Sequence, residues 1–390
     1  MKSALIYLVL SVMFLCNALA QPIARVSSVK IFSKSLNQER ELLIYTPVDY
    51  DNRIHELFEV VYVFDSQSRE FFDYTSAIMS FVADSPKSVI VVGVTSPYNE
   101  KLDYSRNNDF LPVLETADAK KRYGKYHGNA DQFLDYVASE VIPFIDANYR
   151  TLDSNTAVGH SLGASFILNA LLEKPGLFQN CIAVSPNFAY DQNKLEKKIV
   201  QFDYSKITKP TFIYLSHADE GVDYWPEWKP AREKVYAFFN GQKSPKNITV
   251  KTGEFPDSNH WRTFPLGLND ALTHYFKTIQ PAREKMLDAQ EHEVTITVKV
   301  PKKDDVVYIT GNQTSLADWN PGKIMMVKTS DHERKITVKL KGPAQFKFTR
   351  GSWDTAAEVT GTHNNCMIKP ESAKTFEFEI TGYVDRQDEK

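Results

Sequence analysis

Gly159-His160-Ser161-Leu162-Gly163 falls between a predicted short strand ending at Val158 and a predicted helix over Ser161 to Glu173, and that setting decides the fold. A G-x-S-x-G in a strand-to-helix turn is a nucleophile elbow. The serine sits in a strained turn, its neighbours must approach without side chains, and the helix must start at once. Its hydroxyl is thereby presented at a helix N-terminus, where backbone N–H groups and the dipole favour a developing oxyanion. Ala164 and Ser165 continue the run of small residues.

Outward from the elbow, short apolar runs alternate with helical periodicity. Glu59 to Phe64 and Ser88 to Val94 are continuous apolar strands of the kind buried on both faces of a parallel sheet. Phe133, Val137, Val141 and Ile145 recur every four residues and predict a helix from Ala130 to about Ala147. Further strands are expected at Cys181 to Val184, Thr211 to Leu215 and Ile248 to Thr252. Helices are expected from Pro230 to Phe239 and from about Leu266 to Ile279. With an antiparallel hairpin near Val29 to Tyr45, the pattern is α/β, a doubly wound, mostly parallel sheet. In such folds chemistry gathers at the carboxyl ends of strands.

Near Pro281-Ala282-Arg283-Glu284-Lys285 the texture changes, and residues 281–293 read as a linker between a first domain, 21–280, and a second, 294–384. Beyond it the period is two: Val294 to Val300, Ile336 to Leu340 and Phe376 to Ile380 alternate apolar with polar. Half-buried antiparallel strands separated by turns such as Asp318-Trp319-Asn320-Pro321-Gly322 predict a small all-β, immunoglobulin-like sandwich. It carries no cluster of His, Cys or carboxylates at metal-binding spacing.

Composition excludes other classes. Of 390 residues, 42% are hydrophobic and 24% charged, so collagen-like and disordered readings fall away. A formal net charge of −3 gives no electrostatic reason to expect nucleic acid or an anionic membrane as partner. Lys2, an apolar run from Ala4 to Leu15, and Asn17-Ala18-Leu19-Ala20 read as a secretory signal peptide, 1–20, cleaved after Ala20. The mature chain is expected to be secreted or periplasmic, with no membrane span. Cys181 and Cys366, the two cysteines left, read as free buried thiols.

A serine nucleophile needs a base, and in this fold the chain order is Ser, acid, His. His55, His127 and His160 precede Ser161, while His292, His332 and His363 fall in or beside the β module. His217 comes before any acid, and His274 belongs to a helix face. His260, in the turn-rich loop Pro256-Asp257-Ser258-Asn259-His260-Trp261, remains. The orienting acid is expected just past Leu215, where Ser216-His217-Ala218-Asp219-Glu220-Gly221 offers two candidates side by side. Spacing alone does not choose between Asp219 and Glu220, and Asp223 is a weaker third.

Residues 27 to 280 resemble the esterase D-like branch of α/β-hydrolases, which includes catecholate-siderophore, feruloyl and acetyl-xylan esterases and mycolyltransferases. The matching segments are Val61 to Asp65, Ser105 to Pro112, Asp131 to Phe133, Glu140 to Asp146 with Tyr149-Arg150-Thr151, the elbow, Ser185-Pro186 and the loop of His260. The resemblance favours Glu220 as the acid. It implies an oxyanion hole made by the backbone N–H of Leu162 and one from the loop after Phe64, hence Ser66 or Gln67. Where the family usually has Asp-Gly, this chain has Asp65-Ser66-Gln67.

The second domain resembles a starch-binding-type carbohydrate module of family 20, or the related glycogen-binding type, through Val307 to Asn312, Leu316 to Pro321 and Phe346 to Trp353. Trp319, Lys347 and Trp353 are the residues the resemblance assigns to a glycan, since flat sugar faces stack on indoles. A structural role for the two tryptophans is the other expectation. Together these readings imply an exported serine carboxylic-ester hydrolase forming an acyl-enzyme, without metal or organic cofactor. Its substrate is expected to be an acylated polysaccharide or aromatic ester, or a catecholate siderophore ester approached by cationic groups such as Arg106 and Lys101. The alternatives are a catalytically silent hydrolase fold acting as a carbohydrate-binding or scaffold protein, and an acyltransferase.

Overall fold

The computed structural model describes residues 24–384 apart from 85–86, 100–102, 223 and 242–244. The segment read as a signal peptide, Lys101 and Asp223 thus lie outside the described residues. Eight strands form the main sheet: β1 (Arg25–Ser33), β2 (Gln38–Thr46), β3 (Phe58–Val63), β4 (Val89–Val94), β5 (Thr151–His160), β6 (Asn180–Val184), β7 (Thr211–His217) and β8 (Ile248–Glu254). Their spatial order is β1-β2-β4-β3-β5-β6-β7-β8. The pairs β1/β2 and β2/β4 are antiparallel and the others parallel.

The chain leaves β3 for β4 on one side and returns for β5 on the other, so the winding reverses between β3 and β5. Open α/β sheets bind ligands at that switch point, beyond the carboxyl ends of the strands. Asp65-Ser66-Gln67 follows β3 and Ser161 follows β5, which brings the expected oxyanion loop beside the expected nucleophile.

Period-two alternation serves a core on both faces. Val60, Tyr62 and Phe64 face one cluster with Phe133, Val137, Val141, Ile145 and Phe166, whereas Val61 and Val63 face another with Phe72, Phe264, Leu268 and Leu272. The helices divide accordingly. α1 (Arg69–Ile78) and α6 (Thr263–His274) cover one face. The other is covered by α3 (Ala130–Tyr136, continued to Asn148 through a wide turn), α4 (Leu162–Glu173) and α5 (Trp228–Asn240), while α2 (Ser105–Phe110) contributes Phe110 there. Every residue of α4 but its last is buried, the helix behind the elbow carrying only Ser165 and Asn169 as polar side chains before Glu173.

The second domain has β9 (Glu291–Lys299), β10 (Tyr308–Gly311), β11 (Ile324–Met325), β12 (Val327–Ser330), β13 (Glu333–Lys341), β14 (Ala344–Thr349), β15 (Ala357–Val359), β16 (Cys366–Ile368) and β17 (Thr375–Tyr383). They form two sheets, β12-β13-β9-β17-β15 and β11-β10-β14-β16, around Val294, Ile296, Val298, Ile309, Phe346, Phe348 and Phe378. Two expectations need correction. First, β9 and β17 pair in parallel, because the first and last strands of the module are neighbours running the same way. Second, the linker is shorter than 281–293. Pro281 lies within a helical run that continues without a break from α6 to Arg283. At the other end, Glu291 and Glu293 already belong to β9, opposite Lys341 and Lys339.

The module docks at the amino-terminal ends of the main-sheet strands, away from the elbow. His55 N–H donates to Gly361 O at 2.8 Å and Met367 N–H to His55 O at 2.8 Å. Glu56 accepts from the His363 amide at 2.6 Å and the Thr362 hydroxyl at 3.0 Å. Gly361 has no room for a side chain there, since a Cβ would stand 2.5 Å from Ile54 Cγ1. Cys181 and Cys366 are free and buried, as expected.

One buried ion pair ties the hairpin to the helices. Arg40, 1% exposed, donates from Nη1 and Nη2 to the two oxygens of Asp109 at 2.8 and 3.0 Å. Removing one partner of such a pair strands a charge in the core, so Asp109→Ala is expected to lower unfolding free energy in urea by about 3–5 kcal/mol. Asp51→Ala, which breaks the exposed pair with Arg25, is expected to cost less than about 1 kcal/mol. Equal effects of the two substitutions would contradict this ranking.

Candidate active site

Ser161 has φ 58° and ψ −121°, outside the regions that residues with side chains ordinarily occupy. Two features hold it there. Its N–H donates to Val184 O at the end of β6, 3.0 Å away, and its carbonyl accepts the Ser165 amide at 3.0 Å. Gly159 passes so close to the first turn of α4 that a Cβ on it would lie 2.5 Å from the Gly163 carbonyl carbon and oxygen. Leu162 opens α4, so its N–H is one of the amides a helix leaves without an intrahelical acceptor.

The structure separates the two acids that spacing could not. Glu220, 1% exposed, accepts from His260 Nδ1 at 2.8 Å through Oε1 and from the Ala218 amide at 2.7 Å through Oε2. Burial alone would raise its carboxyl, but hydrogen bonding from His260, Ser185 and the Ala218 amide outweighs burial and holds it at about 2. It is therefore a carboxylate at neutral pH, and its bond to Nδ1 leaves Nε2 of His260 clear of that carboxylate. Asp219 faces elsewhere. It takes the Tyr224 hydroxyl, whose oxygen accepts the His260 amide at 3.2 Å, so it braces the loop of the histidine from behind.

His160, at the variable position of the elbow itself, is brought by the structure against His260. Its ring lies 4.6 Å from that of His260, and its Nε2 is 2.7 Å from the His260 carbonyl oxygen. Burial pulls its pKa down to about 3, so the ring is neutral and donates from Nε2–H. The residue beside Ser161 thus holds the backbone of His260.

Of the two oxyanion donors expected after β3, one is corrected. The Ser66 N–H donates to Val94 O at 3.2 Å, which continues the β3/β4 ladder, so it is committed to the sheet. Gln67 is the remaining candidate. Its side chain is anchored at both ends: Nε2 donates to Asp65 Oδ1 at 3.0 Å and Oε1 accepts the Ser96 amide at 2.9 Å. Asp65 supplies the positive φ, 66°, that the family's glycine would make easy. Ser66 fits because the residue beneath it on β4 is Gly93, on which a Cβ would lie 2.8 Å from the serine side chain.

Arg106 is also corrected as a free cation for an anionic substrate. Its Nε and Nη2 grip the two oxygens of the buried Asp65 at 2.5 and 2.7 Å. The pair is locally neutral and fixes the turn that aims Gln67. A cavity of about 440 Å³ opens beside this turn, with Ser66, Gln67, Arg69, Thr95 and Pro97 in its wall. A larger one, about 500 Å³, lies between the domains near Glu59, Arg283 and Lys369, at the far end of the strands from Ser161.

In the second domain Trp319 and Trp353 come together, with ring centroids 6.5 Å apart, and Trp353 is 45% exposed. Lys347 stands on β14, whose neighbour β16 carries Cys366. Among the described residues no group of three or more His, Cys, Asp or Glu side chains is placed to hold a metal ion. No helix among them is long and apolar enough to cross a membrane.

Sheet order, elbow and switch-point loops define an α/β-hydrolase fold. The chain belongs to the family described as "Putative esterase", whose model matches residues 33–275. It is 29% identical over 191 residues to the ferri-bacillibactin esterase BesA of Bacillus subtilis, an alignment covering 47% of this chain and 65% of that protein. To a siderophore enterobactin esterase of Emericella nidulans it is 38% identical over 72 residues, 18% of this chain and 24% of that one. The chain thus spans less than two thirds of either curated relative. An IroE-like serine hydrolase from Shewanella oneidensis superposes with TM-score 0.56 at 23% identity, covering 68% of this chain and 82% of the other. That likeness concerns the fold.

His160 sets a pH dependence. Between its ordinary value of 6.5 and about 3, the unfolded chain binds a proton that the folded chain refuses. Stability therefore falls as pH drops through that window, by up to about 1.4 kcal/mol per pH unit from this residue. Urea unfolding at pH 7, 5 and 4 is expected to show a shallower loss in His160→Gln than in wild type. An identical slope would contradict the buried neutral ring.

Proposed function

We propose that this chain is a carboxylic ester hydrolase that works through Ser161 as nucleophile, His260 as general base and acid, and Glu220 as the group that orients the imidazole and stabilises its charged form. The observation that carries the proposal is the Glu220–His260 bond on a loop braced against residue 160, next to a serine held in a strained elbow. In this reading Ser161 Oγ attacks the ester carbonyl while His260 Nε2 takes its proton. The oxyanion meets the amides of Leu162 and Gln67. The proton then passes to the leaving alcohol, and water, activated by the same histidine, hydrolyses the acyl-enzyme. An acyltransferase would differ only in the acceptor at that last step.

For the substrate, the names of the relatives favour a siderophore ester, and export is supported by the leader-like residues 1–20. A second reading, an aromatic ester on a polysaccharide, is favoured by the paired, partly exposed Trp319 and Trp353, which would hold a glycan far from the reacting ester.

Hydrolysis of short-chain p-nitrophenyl esters tests the assignment. Ser161→Ala and His260→Ala are each expected to lose about a thousandfold or more in kcat/KM. Glu220→Gln should fall by a similar factor and Asp219→Asn by no more than about tenfold, since only the former touches Nδ1. A Ser161→Ala protein as active as wild type would refute the assignment.

A further inference from the structure

Three of the chain's five tryptophans surround His260. The rings of Trp225, Trp228 and Trp261 have centroids 4.9, 5.5 and 5.9 Å from the imidazole and stand edge to face with it, at 86°, 82° and 71°. Trp228 is buried and backs the group, with Trp225 stacked on it at 4.5 Å and 20°. The other two are open to solvent, Trp225 by 39% and Trp261 by 77%. Trp261 therefore does not hold its loop by burial, and a purely structural role leaves its indole unexplained.

Trp225 is also the residue of its loop with an unfavourable backbone, φ 51°, a region that bulky side chains avoid. Strain of that kind persists where surrounding structure enforces it, and it gathers at ligand clamps. The Trp225 indole stacks on Trp228, meets the Tyr224 ring at 4.9 Å and 82°, and stands nearly perpendicular to the His260 ring, with 39% of the residue open to solvent beside that imidazole.

The chemistry fixes which half of an ester meets this wall. The carbonyl oxygen belongs with the amides of Leu162 and Gln67, and the proton carried by His260 must reach the leaving oxygen. The substituent on that oxygen is accordingly the part that lies beside His260. We propose that Trp225 and Trp261 form a subsite for a planar aromatic ring borne by the alcohol half of the ester, a reading that rests on His260 as the general acid. An aromatic ring gains more from offset or edge-to-face packing on indole than a saturated ring of similar size, so the wall discriminates by flatness and quadrupole as well as by area.

Two matched pairs of esters test it. Benzyl acetate and cyclohexylmethyl acetate differ in the alcohol ring alone, while ethyl phenylacetate and ethyl cyclohexylacetate differ in the acyl ring alone. The ratio of kcat/KM within each pair cancels any general effect of a substitution on His260. Trp261→Ala and Trp225→Ala are expected to lower the benzyl-to-cyclohexylmethyl ratio by about three- to tenfold and leave the acyl-side ratio unchanged. Two unchanged ratios would overturn the proposal, and so would a fall confined to the acyl pair. If wild type ignores all four esters, or Ser161→Ala matches it, the reaction assigned to the site fails instead, and the subsite falls with it.

Discussion

With a Cβ on Gly159 the first turn of α4 could not approach β5, and without that approach Ser161 would not be held at φ 58° and ψ −121°. This close passage is the constraint on which the site depends. It stops the strand, starts the helix one residue later, and leaves the serine half-exposed over an otherwise buried helix. The burial of α4 then makes the elbow costly to relax, because moving it would open the core on the face of the sheet that this helix covers. The strain is local, and the packing that enforces it is spread over the whole domain.

The groups around Ser161 are held by partners distant in sequence. Arg106 and Asp65 meet across 41 positions and Glu220 and His260 across 40, while His160 reaches the His260 carbonyl across 100. The first pairing fixes the turn that carries Gln67, and the second leaves His260 Nε2 clear of the carboxylate. After β3 this chain holds Asp65 at a positive φ, and the glycine at position 93 leaves room for Ser66. The β module, by contrast, docks at the other end of the strands, so it adds a surface without shaping the reaction centre.

The parts of this account that follow short-range rules were legible in the sequence. Apolar runs such as Val89 to Val94 must be buried on both faces, and the glycine spacing around Ser161 admits few other structures. His260 followed from loop position and chain order. What could not be read depends on direction and distance. Asp219 and Glu220 are adjacent, and which one meets Nδ1 depends on the path of a loop closed by Tyr224 and Arg232. Arg106 resembles a solvent-facing cation until Asp65 is placed beside it, and the Ser66 amide resembles an oxyanion donor until Val94 takes it. The parallel pairing of β9 with β17 is invisible to a period-two pattern, because alternation records faces and not strand direction.

The central claim is that Ser161 is a nucleophile activated by the geometry of the elbow and by His260. Stoichiometric trapping with an aryl phosphonate, followed by intact-mass measurement and peptide mapping, addresses it without any choice of substrate. One phosphonyl group per chain, located on Ser161 and formed far more slowly in His260→Ala, is the result expected. An unmodified chain, or an adduct on another residue with Ser161 untouched, would contradict the account.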